Sequence, residues 1–270
     1  MKCAYVTLVM LGNGYVKGAV ALAKSLLKSG TVHDIVCLVT DDVTKIQDLK
    51  KVFTHVFVVS YLYFDCGKML TERQRQLYSK WINFSFTKWR CLELTMYDKC
   101  IYLDADQIVL RNIDHLLRHD YAICFNYNYN SSYKVFKYGD IIDCNVQKFI
   151  MENYNLLGFT GTFVFIPSLK LLSTITSLLT PTNKLIAQDN KYHNGFDEIV
   201  LAEAFIKNNI NITQLTPMYI WNAGDYNTLK ENDQPYVINF YGDRKPWVVN
   251  KTNKNYMDIF IWKYFYHSKV

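Results

Sequence analysis

The chain has 270 residues, half of them apolar, enough to bury a sizeable core in one domain or in one domain with an elaborated second half. Its net charge of +6 suits an acidic ligand, but the basic residues are dispersed, and no Lys/Arg block marks a nucleic-acid surface. Seven scattered cysteines without a Cys-x-x-Cys pair argue against zinc and for reduced, buried thiols in a reducing compartment, which places the protein in the cytoplasm.

Residues 4–10 form an apolar run of strand type, too short for a leader and followed by no small-residue cleavage site, so they read as a first core strand. Leu11-Gly12-Asn13-Gly14 is a loop. Residues 15–27 carry Val16, Ala19, Val20, Ala23, Leu26 and Leu27 at helical spacing, and Gly30 closes them. A second strand over 35–40 ends in Asp41-Asp42, a helix follows over 43–52 and a third strand over 55–59. Residues 60–79 are irregular. A helix over 87–97 leads into a strand over 100–103; later strands fall at 121–125, 163–166 and 237–241, and helices at 169–179 and 196–207. This alternation predicts an α/β fold: a largely parallel, Rossmann-like sheet with helices on both faces and ligands at the carboxyl ends of the strands. Leu171, Leu178 and Leu185 stand seven apart, but Pro181 interrupts them, so no zipper is expected. No stretch approaches the ~20 apolar residues of a membrane span. Asn-x-Ser/Thr sequons begin at Asn83, Asn130, Asn211 and Asn250, and without a secretory route they read as chance matches in an Asn-rich chain. The aromatic tail over 256–266 is suited to a helix that packs on its own core or on a second copy, which leaves a homodimer open.

The most informative motif is Asp104-Ala105-Asp106, where the apolar run Cys100-Ile101-Tyr102-Leu103 stops. Two carboxylates one residue apart repel unless a cation joins them, and hard oxygen ligands at a strand end suit a divalent metal that also holds a phosphate. The bland alternative is a solvated turn. The Gly12-Asn13-Gly14 loop lacks the Gly-Lys-Ser/Thr of a Walker loop, and Lys17 fills the third glycine position of a dinucleotide fingerprint, so ATP and NAD sites of ordinary type are disfavoured.

Five segments in order resemble glycosyltransferase family 8, the retaining glycogenin and galactinol synthase group. They are Ala4-Tyr5-Val6-Thr7-Leu8 with Tyr15-Val16-Lys17-Gly18-Ala19; Thr87-Lys88; Tyr102-Leu103-Asp104-Ala105-Asp106; Phe159-Thr160-Gly161-Thr162-Phe163-Val164-Phe165; and Phe240-Tyr241-Gly242-Asp243-Arg244-Lys245-Pro246-Trp247. The chain looks most like the short members carried by large DNA viruses of insects. The resemblance implies a GT-A fold in one domain over 1–270: a nucleotide-binding half to about 120, a sugar and acceptor half to about 250, and a tail. It implies a UDP-sugar donor, an acceptor hydroxyl and manganese, with magnesium as a substitute. Carried over by motif, Asp104 and Asp106 hold the metal, with Ala105 between them at the donor. Leu8 and Tyr15 hold the uracil, Lys88 and Lys245 assist the departing diphosphate, and Gly242 lets backbone approach the phosphates. Thr160 and Asn194 are expected sugar contacts.

Asp197-Glu198 resembles the family's Asp-Gln pair at the start of a similar helix. The resemblance implies that Asp197 binds sugar hydroxyls and that position 198 faces the reacting carbon. Acidic residues also favour helix N-termini for dipole reasons alone. Three departures stand out. Asn239 replaces the family's histidine metal ligand, Phe159 replaces an asparagine in the donor-sugar segment, and Glu198 replaces glutamine. A carboxylate at 198 opens covalent catalysis as an alternative to front-face attack guided by the leaving phosphate. The departures also support two other readings: a catalytically weakened or inactive transferase-fold binding protein, and a self-glucosylating protein that modifies Tyr226.

Overall fold

Seven consecutive buried residues form β1 (Cys3–Val9), and their alternation is what organises the molecule. Cys3, Tyr5 and Val9 point into one hydrophobic cluster, and Ala4, Val6 and Leu8 into another on the opposite face. A strand buried on both faces needs covering layers on both sides, which is the expected α/β arrangement. The computed structural model describes residues 1–125, 136–224, 234–242, 245–248 and 257–269.

After β1 come α1 (Val16–Lys28), β2 (Asp34–Val39), α2 (Ile46–Lys50) and β3 (His55–Val58). Then come α3 (Glu72–Tyr78), β4 (Lys99–Leu103) and β5 (Gln107–Val109). The second half holds β6 (Ala122–Cys124), β7 (Ile141–Ile142), α4 (Cys144–Asn153), β8 (Phe159–Phe165), α5 (Leu169–Leu178) and α6 (Lys184–Ala187). It continues through α7 (Phe196–Lys207), β9 (Ile212–Gln214), β10 (Trp221–Asn222), β11 (Val237–Asn239) and α8 (Met257–His267). The main sheet runs β3-β2-β1-β4-β8-β6-β9-β7. Its first four strands are all parallel, and β8 enters antiparallel between β4 and β6. Cys100 and Tyr102 of β4 face the same cluster as Phe163 and Phe165 of β8, while Ile101, Leu103 and Val164 face the other.

A smaller sheet, β10-β11-β5, matters for the site. β5 follows directly on the Asp-Ala-Asp turn and pairs antiparallel with β11, so Asn239 stands opposite Gln107. The bond from Phe240 N–H to the Asp106 carbonyl, 3.0 Å, continues that pairing to the turn itself.

Several expected elements differ in detail. The helix expected over 87–97 is a 3-10 run, Ile82–Glu93. Phe86, Trp89 and Leu92 are fully buried and three apart, and a helix with three residues per turn places them on one side. The helix expected over 43–52 forms only over Ile46–Lys50, because the N–H groups of Thr44 and Lys45 are drawn to the side chain of Asn13. The strand expected over 163–166 begins four residues earlier, at Phe159. α8 lies against α1: Lys24 Nζ donates to the carbonyls of Tyr266 and Ser268 at 2.7 and 2.9 Å, and Trp262 and Phe265 are buried with Ala21. All seven cysteines are free, five of them buried. Among the described residues no helix is long and apolar enough to cross a membrane.

Candidate active site

A cavity of about 700 Å³ opens at the carboxyl end of β1 and β4, where the parallel half of the sheet presents its loops. Leu8, Tyr15, Asp104, Asp106, Asp197, Glu198, Asn239 and Gly242 all line it, and the β5–β11 pairing sets Asn239 beside the Asp106 turn. The motifs picked from the sequence therefore meet although nearly 240 residues separate the first from the last.

The turn after β4 is held from both sides by buried lysines. Lys88 comes from the 3-10 run. Its Nζ donates to Asp104 Oδ1 at 3.2 Å, to the Thr160 carbonyl at 2.8 Å and to Thr160 Oγ1 at 3.0 Å. The same ammonium stands 4.5 Å from the centre of the Tyr102 ring. Lys245 donates to Asp106 Oδ2 and to the Phe240 carbonyl. The two carboxylates differ in exposure: Asp104 is 40% exposed toward the cavity, Asp106 only 15%. Desolvation pushes the Asp104 carboxyl up to about 6, with Asp106 adding to the rise and Lys88 opposing it. Asp197 is likewise pushed up to about 6 by burial and by Glu198, against Lys88. Its carboxylate lies over Gly195, where a Cβ would stand 2.4 Å from Oδ1, so glycine is needed to admit it.

The loop between β1 and α1 is fixed by its neighbour. Asn13 Oδ1 accepts from the N–H groups of Thr44 and Lys45, both at 3.0 Å, and its amide donates to Thr44 Oγ1 at 2.7 Å. Leu11, left-handed at φ 58°, donates its N–H to the Tyr61 hydroxyl at 2.9 Å. Tyr15 at the end of this loop presents its ring to the cavity and meets Trp247 edge-on at 5.4 Å.

Two expected sugar contacts lie elsewhere. Thr160 and Asn194 are buried, and neither lines the cavity. Asn194 is consumed inside the fold: Oδ1 accepts from Leu157 N–H at 2.7 Å, and Nδ2 donates to the Gly158 carbonyl and to Glu198. Phe159 and Gly161, which flank Thr160, reach the cavity instead, because successive residues of β8 face opposite sides; His193 and Gly195, which flank Asn194, line it too. Tyr226 lies outside the described residues.

Residues 6–251 match the sequence family described as Glycosyl transferase family 8. The chain belongs to this family. Among its relatives, glycogenin-1 of Caenorhabditis elegans is 25% identical over all of this chain and 56% of its own length. An uncharacterized protein of Acanthamoeba polyphaga mimivirus is 39% identical over 43% of this chain and 40% of its own. The chain thus spans about half the length of these curated relatives. The galactosyltransferase LgtC, solved with donor and acceptor sugar analogues, superposes with a TM-score of 0.60 at 14% identity, covering 97% of this chain and 95% of its own. The likeness establishes the GT-A fold for this member of family 8.

Sequence reasoning passed over some of what shapes the site in this family 8 protein. Tyr78 and Tyr241 join hydroxyl to hydroxyl at 2.5 Å, and both line the cavity. Nothing in their spacing, 163 residues apart, signals the contact. Gly18 is different. It interrupts a helix, where glycine costs roughly 0.5–1 kcal/mol relative to alanine, and that cost hints at a packing reason.

Proposed function

We propose that the protein transfers a hexose from a UDP-sugar to an acceptor hydroxyl with retention of anomeric configuration, within one GT-A domain, using a divalent metal held by Asp104 and Asp106. The observation that carries this reading is the Asp-Ala-Asp turn with a buried lysine on each carboxylate, at the floor of a cavity that Tyr15 and Asp197 also line.

The donor set suits a hard cation. Among the described residues no cluster of three His, Cys, Asp or Glu side chains forms a closed metal cage. Asp104, Asp106 and Asn239 instead supply oxygens at one end of the cavity. The Asn239 amide donates through Nδ2 to Asn222 Oδ1 at 2.9 Å, which assigns Oδ1 the accepting role. Burial is the main cause of the raised Asp104 carboxyl, and Asp106 and Asp197 add negative charge beside it that a cation would offset. Manganese serves, with magnesium as a substitute; when bound, it supplies charge neutralisation for the diphosphate of the leaving UDP.

The protein's own groups then divide the work. Leu8 and Tyr15 offer an apolar wall and a ring face to the uracil. The Gly242 backbone, at φ 87°, lies along the cavity where the phosphates would run. Lys88 and Lys245 are fixed donors for charge that develops as the phosphate departs. Asp197 faces the sugar hydroxyls. The acceptor attacks from the face the diphosphate leaves, and the phosphate oxygen takes its proton.

The test is UDP release with manganese and a panel of UDP-hexoses, with Asp104→Ala as reference. Release by the native protein at least about 100-fold above the variant supports the reading. Release equal to that of Asp104→Ala with every donor would sink it, and metal-independent UDP binding would favour a decayed transferase fold.

A further inference from the structure

Glu198 is the third residue of α7, and its carboxylate accepts four hydrogen bonds. Oε1 takes the Thr160 N–H at 2.8 Å and the Thr160 hydroxyl at 3.1 Å. Oε2 takes Asn194 Nδ2 at 2.8 Å and the Gly195 N–H at 3.3 Å. Two of these donors are backbone N–H groups, which cannot reverse. The Asn194 amide cannot reverse either, because its Oδ1 already holds the Leu157 N–H and its Nδ2 also serves the Gly158 carbonyl. An ionised carboxylate is acceptor-only and satisfies all four. A glutamine at 198 would turn an NH₂ toward one of the two donor sets.

Thr160 is the link to the reacting end. Its hydroxyl gives its proton to Glu198 and accepts from Lys88, while its carbonyl accepts a second Lys88 bond. An ammonium has three protons. With two directed at Thr160, the third is aimed at Asp104 Oδ1. Glu198, by holding the Thr160 hydroxyl and N–H, therefore fixes the direction of the cation that shares that hydroxyl.

We propose that Glu198 is a positioning residue, a carboxylate clamp that acts through Thr160 to aim Lys88 at Asp104. The role explains why a carboxylate occupies the place of an amide. Both oxygens are engaged within the protein, so Glu198 is not the nucleophile. The inference rests on the transferase reading only in what Lys88 is aimed for; the clamp itself is a property of the free protein.

Two measurements decide it. The first needs no turnover: hydrogen exchange at the Thr160 and Gly195 amides. Glu198→Ala speeds exchange at both by about tenfold or more in a protein that still melts cooperatively. Should that variant fail to fold, Glu198→Gln, which keeps the volume, speeds at least one of them. Unchanged exchange at both amides overturns the clamp. The second measurement is a cycle on UDP release from a UDP-hexose. Thr160→Val keeps the N–H but removes the bridging hydroxyl. Glu198→Gln and Thr160→Val each slow release about 10- to 100-fold, and the double variant is no slower than the worse single, because both act through one link. Multiplying effects, or rescue of Glu198→Ala by azide with formation of a glycosyl azide, would overturn the positioning role in favour of a nucleophile. If the native protein releases UDP from no donor, the transferase reading fails while the exchange result still stands.

Discussion

The carbonyl of Ala105 occupies the space that a side chain at Gly18 would need: a Cβ there would stand 2.4 Å from that oxygen and 2.7 Å from the Trp247 ring. α1 thus packs backbone to backbone against the Asp-Ala-Asp turn. Gly18→Ala forces one or the other to move. We expect a loss of about 1–3 kcal/mol in urea denaturation, the range for overpacking, despite alanine's better helix propensity. A variant within about 0.5 kcal/mol of the native protein would show that the turn is not held by this contact.

Lys88 should matter more to chemistry than to folding. Lys88→Met keeps the buried stem and removes the ammonium that holds Asp104 and Thr160. Asp104 stays open to the cavity and can be solvated, which limits the stability cost to about 1–3 kcal/mol. UDP release should fall about 10²- to 10³-fold, the range for losing one preorganised donor. Paired melts and rate measurements on one preparation separate the two effects.

Asn239→His puts an imidazole at the proposed third ligand position. The position lies on β11 opposite Gln107 and lines the cavity, so the ring enters the same space as the amide. Manganese affinity in the presence of UDP should rise about tenfold, since imidazole is a stronger ligand for first-row metals than an amide oxygen. Calorimetric titration of manganese into the UDP-loaded variant reads it directly; weaker binding would remove Asn239 from the ligand set.

Asp114 supplies a pH dependence far from the cavity. Burial alone would raise its carboxyl, but hydrogen bonds from Tyr5, Asn112 and Thr31 outweigh that, and it titrates below the usual carboxylate range. Because the folded pKa is depressed, the stabilisation is complete above the unfolded value of about 3.9 and is lost as pH falls through the folded one. Asp114→Asn should cost about 1–2 kcal/mol at pH 7 and progressively less below pH ~4. Denaturation midpoints of both proteins against pH should converge at the acid end.

Tyr78→Phe breaks the hydroxyl pair with Tyr241. Both partners are partly open to solvent, so stability should change by less than about 1 kcal/mol. KM for the donor should rise severalfold with kcat nearly unchanged, the outcome for a pair that shapes the cavity wall equally in ground and transition state. A fall in kcat alone would contradict that role.

The parallel half of the fold was legible because β1, β2 and β4 are buried on both faces, so each appears as an uninterrupted apolar run bounded by turn residues. The Asp-Ala-Asp turn was legible for the same reason: it stands where such a run stops. The 3-10 run was misread because Phe86, Trp89 and Leu92 repeat every three residues, a spacing that also suits one side of an α-helix. The strands Ile141–Ile142 and Trp221–Asn222 are too short to show any period. α4 was missed, although Asp143 caps it by accepting from Asn145 and Val146 N–H groups, because a polar residue, Gln147, takes one of its three buried positions and Phe149 stays exposed, which blurs the apolar stripe. Asp197, Glu198, Lys88 and Lys245 could be named from ordered motifs. Which of them touches a ligand and which only holds another side chain depends on the register of β8 against α7, and no one-dimensional pattern carries that.

The 3-10 turn after Leu11, Gly12–Tyr15, has a consequence for how fast and how tightly the proposed nucleotide donor is met. Asn13 ties it to the next loop by three hydrogen bonds, and Tyr61 fixes the strained Leu11. A binding rim built this way has already surrendered its conformational freedom during folding. Recognition of the base then carries little ordering penalty. Encounter should approach the limit set by diffusion and orientation, with no slow loop closure imposed by this side of the cavity.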